Sequence, residues 1–98
     1  MNYISTRGGA PRLDFEGALM AGLARDGGLY VPESWPRLGS KEIAALAGRP
    51  YARVAASVMQ PFVADAIPAA EFAELIETAY RGFAHPAVAP LIQLDDNL

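Results

Sequence analysis

Glycine and proline divide this chain into short segments, and these breaks limit every helix and strand that it can form. The sequence has nine glycines and eight prolines among 98 residues. Proline cannot donate the backbone hydrogen bond that continues a helix or strand, and glycine readily takes the left-handed conformation in which helices end. The sequence therefore predicts a small domain built from short elements that end at these residues.

Four segments between the breaks are predicted to be helical. Asp14 and Ser40 are residue types that cap helix N-termini, and Pro50 and Pro68 suit the first position of a helix. Apolar residues recur at helical spacing within the segments, and Gly27 and Gly48 follow two of them. The predicted helices cover residues 14–24, 41–47, 50–61 and 68–83.

The last of these helices has the clearest amphipathic pattern. Its glutamates, Glu71, Glu74 and Glu77, are predicted to face water, and Glu77 is spaced to pair with Arg81 one turn later. The predicted buried stripe consists of Phe72, Leu75, Ile76, Ala79, Tyr80 and Phe83.

Short β-prone runs at 3–6, 29–31 and 91–94 complete the predicted elements. The first two flank one helix, an arrangement in which two strands can pair as parallel neighbours. Trp35 lies in a proline-rich loop that it is expected to hold against the core. The predicted fold is α+β, a mostly helical small domain with a short sheet of two or three strands.

Composition excludes several classes of function. The net charge is −3 and the eight basic residues are scattered, whereas nucleic-acid surfaces need clustered Lys and Arg. The chain has no cysteine, so it has no disulfide, thiolate metal site or Cys nucleophile. It also lacks the ~20-residue apolar run of a membrane span and the pattern of a signal peptide. We expect a cytoplasmic protein that binds neither nucleic acid nor membrane.

The residue types that most often act in catalysis or metal binding have simpler structural interpretations in this sequence. His85, the single histidine, is expected to interact with carbonyls at a helix end. Lys41, the single lysine, is expected to be exposed in the first turn of a surface helix. Asp95 and Asp96 are adjacent, which favours a turn over a metal site.

Two glycine pairs, Gly8-Gly9 and Gly27-Gly28, match neither a P-loop nor a dinucleotide-binding fingerprint. Turn geometry is their preferred interpretation, although backbone N–H groups in such loops can also hold phosphate. The sequence analysis therefore assigns no catalytic residue, no cofactor-binding residue and no metal ligand.

Three stretches taken together resemble the N-terminal part of threonine synthases, with the expected order and spacing over essentially the whole chain. The first runs from Tyr3 to Gly8 (YISTRG) and the second from Gly22 to Pro32 (GLARDGGLYVP). The third is Ala79-Tyr80-Arg81-Gly82-Phe83, followed by His85-Pro86 and Ala89-Pro90-Leu91.

This resemblance implies a pyridoxal-phosphate enzyme of the fold type shared with tryptophan synthase β. Threonine synthase converts O-phosphohomoserine and water to threonine and phosphate, with the cofactor acting as electron sink. The family's Schiff-base lysine lies in a Gly-Pro-Thr-x-Ala-Phe-Lys-Asp type of motif that this chain does not contain, and Lys41 does not match it. The resemblance thus implies that residues 1–98 are an N-terminal accessory domain, without the catalytic cofactor domain, that binds no pyridoxal phosphate alone.

Several alternatives stay open at the level of sequence. Arg7 and Asp26 either pair across a small sheet and fix its turns, or face the cofactor domain near the active site. The chain is alternatively a free-standing helical interaction module, or the N-terminal domain of a threonine-synthase-like phospholyase. As an accessory domain it should expose an apolar patch around 90–94 that meets the missing catalytic domain and attracts a second copy.

Overall fold

A computed structural model describes residues 1–96 of this chain and confirms the α+β class. Its four helices match the four predicted ones, with ends shifted by a few residues. The N-terminal third of the chain, from Asn2 to Pro32, contributes a three-stranded sheet. The elements are β1 (Asn2–Ser5), β2 (Leu13–Asp14), α1 (Phe15–Ala21), β3 (Tyr30–Pro32), α2 (Ser40–Ala45), α3 (Tyr51–Val63), a 3-10 turn (Ala64–Ala66) and α4 (Ala69–Tyr80).

The sheet has the order β2-β1-β3, and β1 pairs antiparallel with both neighbours. The runs at 3–6 and 29–31, which could have paired as parallel neighbours, are therefore antiparallel. The chain reverses once more between α1 and β3, where Leu23 and Leu29 form an antiparallel bridge. The sequence analysis also missed β2, whose two residues are too short for a recognisable alternation.

The predicted strand at 91–94 is also wrong, because these residues form neither strand nor helix in the structure. A strand is stable only when its backbone groups pair with a neighbour. The segment 91–94 pairs with none of the three strands of the sheet. The side chains of Leu91, Ile92 and Leu94 are instead exposed.

The helix starts follow local chemistry. The Asp14 carboxylate caps α1 by accepting a hydrogen bond from the Gly17 N–H at 2.8 Å, as predicted. The predicted Ser40 cap is displaced by one residue, because the N-cap of α2 is Gly39. The Gly39 N–H donates to the Glu42 carboxylate at 2.6 Å, which satisfies a backbone donor at the helix start without a serine cap.

The main core lies between α3 and α4. Val63, Phe72 and Ile76 are buried there, and Phe15 of α1 packs against them. The predicted stripe on α4 is wrong at Leu75 and Phe83, which are each 52% exposed. It is also wrong at Ala79, which is exposed. Residues one full turn apart share a face, and α3 covers the face of positions 72 and 76.

A tyrosine joins the sheet to this core. The Tyr3 hydroxyl donates to the Phe62 carbonyl at 2.6 Å, and its ring lies 6.3 Å from the Phe15 ring. Burial raises the pKa of Tyr3, so the hydroxyl stays protonated and keeps donating. Trp35 contacts Phe62 edge-on, at 6.1 Å between ring centroids, yet remains 67% exposed. The proline-rich loop is therefore held at the rim of the core and not within it.

Candidate functional site

The ends of β1 and of the segment before β3 meet at one carboxylate, that of Asp26. The Ser5 hydroxyl lies 2.8 Å from both Asp26 oxygens. The Gly9 N–H donates to Oδ2 at 2.8 Å and the Gly28 N–H donates to Oδ1 at 2.9 Å. We call Asp26 with Ser5, Gly9 and Gly28 the Asp26 cluster. It ties two loops that are far apart in sequence to a single side chain.

Glycine is required at position 28 because the backbone passes directly over the serine. A Cβ atom at Gly28 would lie 2.3 Å from the Ser5 Oγ and 3.0 Å from the Asp26 Oδ1. Real Cβ atoms essentially never make a contact as short as 2.3 Å, and a contact of 3.0 Å requires the neighbouring atom to shift. Gly27 has a φ of 77°, which is the left-handed conformation that favours glycine. The Asp-Gly-Gly sequence thus provides both the turn and the space that the cluster needs.

Arg7 contacts Asp26 through the backbone of the turn. In one of the two interpretations left open by the sequence, Arg7 and Asp26 pair across the sheet, and in the structure the guanidinium Nη1 donates to the Asp26 backbone carbonyl at 3.3 Å. The carboxylate is already occupied by Ser5 and two backbone N–H groups. The guanidinium therefore stabilises the turn at Asp26, and the Arg7 side chain stays exposed.

The electrostatics of the cluster favour structure over acid–base chemistry. The pKa of Asp26 is lowered, first by the hydrogen bond from the Gly28 N–H and then by those from Ser5 and Gly9. A general base near neutral pH needs a pKa close to that pH. Asp26 is instead held as a carboxylate that accepts hydrogen bonds. Sequence reasoning identified Asp26 but missed its side-chain partner, Ser5. Nothing in the pattern at Ser5 indicates a contact with a residue 21 positions away.

Lys41 does not lie in a site that fits pyridoxal phosphate. It is exposed in the first turn of α2, as predicted. A groove of about 590 Å³ between α2 and α3 is lined by Arg49, Arg53 and Ser57 among others, and Lys41 does not line it. An internal aldimine needs a lysine held in an enclosed pocket. Lys41 is exposed and does not lie in such a pocket.

His85 and Glu77 form contacts that differ from the predicted ones. The His85 Nδ1 accepts from the Ala87 N–H at 3.0 Å in a turn beyond the helix, so the predicted contact with helix-end carbonyls is wrong. Glu77 forms an ion pair with Arg53 of α3 at 3.8 Å instead of the predicted pair with Arg81. Helix packing brings Arg53 within reach, which the spacing along α4 alone did not indicate.

The acidic residues at the end of the described chain form a turn, as expected. The Asp96 N–H donates to the Asp95 Oδ1 at 2.8 Å. Among the side chains of residues 1–64 and 66–96, no group of three or more His, Asp or Glu is arranged to hold a metal ion. Within the same range, no helix has the length and hydropathy needed to cross a membrane.

Comparison with known sequences relates this chain to one enzyme family. The sequence model of the family described as "Threonine synthase N terminus" matches residues 2–80. The chain belongs to the threonine synthase family. A threonine synthase from Pseudomonas aeruginosa is 58% identical over 97 residues, which covers 99% of this chain and 21% of that protein. A protein named threonine synthase-like 2 from Pongo abelii is 39% identical over 99 residues, or 20% of its length.

The fold agrees with a solved structure of the same family. A PLP-bound threonine synthase from Brucella melitensis superimposes with a TM-score of 0.90 at 52% identity, covering 99% of this chain and 21% of that one. The chain thus spans about a fifth of the length of the threonine synthases that it matches. Two of the three stretches that carry the sequence resemblance, 3–8 and 22–32, are the two that the Asp26 cluster joins.

Proposed function

We propose that residues 1–98 are the N-terminal accessory domain of a threonine synthase whose catalytic domain lies outside this chain. The observation that carries this proposal is the 58% identity to a threonine synthase along nearly the whole chain. The enzyme as a whole converts O-phosphohomoserine and water to threonine and phosphate in the cytoplasm. Pyridoxal phosphate supplies the electron sink for that reaction, and residues outside this chain hold it.

Within that enzyme, no residue of this chain acts as a catalytic, cofactor-binding or metal-binding group. The Asp26 cluster supports this assignment, because its carboxylate is saturated by hydrogen bonds and its pKa is lowered. The exposure of Lys41 supports it as well. The role of the domain is structural: it holds the N-terminal loops in one conformation beside the catalytic domain.

A chimeric enzyme tests the proposed function. The equivalent N-terminal part of the Pseudomonas aeruginosa threonine synthase is replaced by residues 1–98, and phosphate release and threonine formation are both measured with O-phosphohomoserine. We expect the chimera to be active, since the domains share most of their residues. The matched control replaces the same part by an unrelated domain of similar length and should be inactive. An inactive, folded chimera would contradict the proposal.

A threonine-synthase-like phospholyase is a second candidate, favoured by the 39% identity to a threonine synthase-like 2 protein. Such an enzyme would release phosphate without forming threonine. An assay of both products with the complete polypeptide that carries this chain distinguishes the two enzymes, because a synthase yields threonine and phosphate in equal amounts. If the intact mass of the natural protein were no larger than that of 98 residues, a free-standing interaction module would be favoured instead.

The isolated chain is also proposed to associate with itself. Leu91, Ile92 and Leu94 are 103%, 74% and 83% exposed, respectively, in the segment 90–94 that was expected to meet the catalytic domain. Contiguous apolar surface of this kind is uncommon on soluble monomers and attracts other apolar surface. A second copy covers the segment when the catalytic domain is absent.

A further inference from the structure

One face of the sheet, opposite the face that packs on α1 and Phe62, carries apolar side chains. Residues directly opposite each other in an antiparallel pair point to the same side, and successive residues alternate. Tyr3 points to the helical side, where it is buried. Ile4 and its partner Val31 therefore point to the other side.

The apolar row continues beyond β3. The Thr6 N–H donates to the Leu29 carbonyl at 2.9 Å, which extends the pairing of β1 and β3 by one residue. Leu29 in turn bridges to Leu23 in antiparallel register. Alternation then places Leu29 and Leu23 on the side of Ile4 and Val31. We call Ile4, Leu23, Leu29 and Val31 the open apolar face.

The open apolar face adjoins a polar edge, because the same register places Asn2, Asp14 and Glu33 on this side of the sheet. Antiparallel sheets with one solvated face normally alternate apolar residues inward with polar residues outward. Here Leu23 and Leu29 are 67% and 58% exposed, and Ile4 is 38% exposed. The four side chains adjoin through the strand pairing, so they form one patch and not scattered contacts. Hydrogen bonds along the strands hold the shape of the patch before anything binds.

We propose that the open apolar face packs against the catalytic part of threonine synthase. This inference rests on the proposed function. The length of the relatives indicates what covers the open apolar face. The chain spans 21% of the relative that it matches at 58% identity, so most of such an enzyme lies outside these residues. Interfaces between domains of one chain commonly bury ~600–1,500 Å². A patch of four apolar side chains on a rigid sheet suits the centre of such an interface, opposite an apolar surface of the catalytic part.

Thiol protection tests this face directly, because the chain contains no cysteine. A single thiol is introduced by Leu29→Cys on the open apolar face, or by Ile43→Cys on α2 as the matched control. The two native side chains are almost equally exposed, at 58% and 57%. Each variant is labelled with a maleimide, both as the isolated chain and within the chimeric enzyme. Mass spectrometry of the digested protein then reports labelling at that position alone.

We expect both thiols to be labelled at similar rates in the isolated chain. In the active chimera, labelling at position 29 should slow by at least roughly tenfold, since a buried thiol reacts only when the interface opens, while position 43 keeps its rate. Equal labelling of the two positions in an active chimera would overturn this inference and leave the proposed function standing. An inactive chimera with the unsubstituted chain would overturn both.

A second copy of this chain is the competing occupant. If it covered the face, position 29 would be protected in the isolated chain, and the protection would grow with protein concentration. That result would also overturn the inference. Leu23→Cys provides a second probe of the same face if Leu29→Cys fails to fold, and its expected pattern of protection is the same.

Discussion

At the scale of single residues, the missing side chain at position 28 allows the Asp26 cluster to form. Gly28 lies so close to Ser5 that an added methyl group would displace the hydroxyl from the carboxylate. Its own N–H is at the same time one of the donors to Asp26. A single position therefore controls both the approach of the two loops and one of the hydrogen bonds between them.

Substitution of this glycine should be costly. We expect Gly28→Ala to lower the free energy of unfolding by ~1–3 kcal/mol, the usual cost of forcing extra atoms into a packed site. Gly82→Ala is the matched control, because a Cβ there meets no atom within 4 Å. Urea denaturation measures both variants. Equal midpoints for the two variants would show that the cluster tolerates the added carbon.

The lowered pKa of Asp26 predicts how stability depends on pH. A carboxyl group whose pKa is lower in the folded than in the unfolded chain stabilises the fold above its unfolded pKa. That contribution is lost as the pH falls from the ordinary value of 3.8 through the lower folded value. In Asp26→Asn this dependence should be absent. The difference in unfolding free energy between the two proteins should therefore be constant above about pH 5 and shrink in more acidic solution.

Asp14→Asn is a suitable control for that experiment. It alters another aspartate that accepts a backbone N–H, at the start of α1, while the Asp26 cluster remains intact. Asn also caps helices well, so little stability should be lost. A stability difference for Asp26→Asn that does not change between neutral and acidic pH would contradict the assigned role of the carboxylate.

At the scale of elements, the packing of α3 on α4 decides which side of each helix is buried. The apolar stripe of α4 is wider than the face that α3 covers, so apolar character alone did not separate Ile76 from Leu75. In the structure Ile76 is 6% exposed and Leu75 is 52% exposed. The ion pair between Arg53 and Glu77 lies at the edge of the same contact.

Alanine substitutions on α4 should reproduce this division. We expect Ile76→Ala to cost ~2–5 kcal/mol, because it leaves a cavity in the core. Leu75→Ala should cost much less, and Glu74→Ala should change little because its side chain faces water. Denaturant midpoints of the three variants test the order. A larger loss for Leu75→Ala than for Ile76→Ala would place the core on the other side of the helix.

At the scale of the whole molecule, this chain combines a stable framework with surfaces that it does not cover. Its core consists of a few buried side chains between two helices, extended to the sheet through Tyr3. The segment 90–94 and the open apolar face are both exposed. A domain of about this size buries only somewhat over ~60% of the surface of its unfolded chain, which leaves little stability in reserve.

The isolated chain should not form an internal aldimine with pyridoxal phosphate. Its single lysine, Lys41, is exposed and lies outside the groove between α2 and α3. Titration with the cofactor should give no saturable aldimine absorbance, and Lys41→Ala should give the same spectrum as the unsubstituted chain. A saturable band that disappears in Lys41→Ala would contradict the proposal that this domain lacks a cofactor site.

Self-association should depend on the segment 90–94. Light scattering over a concentration series should show the mean mass of the isolated chain rising with concentration. Ile92→Asp should reduce this rise, because a charge disfavours burial of the segment in an apolar contact. Ile43→Asp, on the exposed side of α2, is the matched control and should leave the rise unchanged. A constant monomeric mass for the unsubstituted chain would count against an uncovered apolar surface there.

The sequence by itself determined the four helices and the family. Helix starts depend on caps and prolines that act within a few residues, as at Asp14 and Pro68, so they can be read locally. Only the tertiary structure decided the direction of β1 relative to β3, the irregular conformation of 91–94, the exposure of Leu75 and the partners of Asp26. Each of these depends on contacts between residues distant along the chain, and such contacts leave no local pattern that a single sequence reveals.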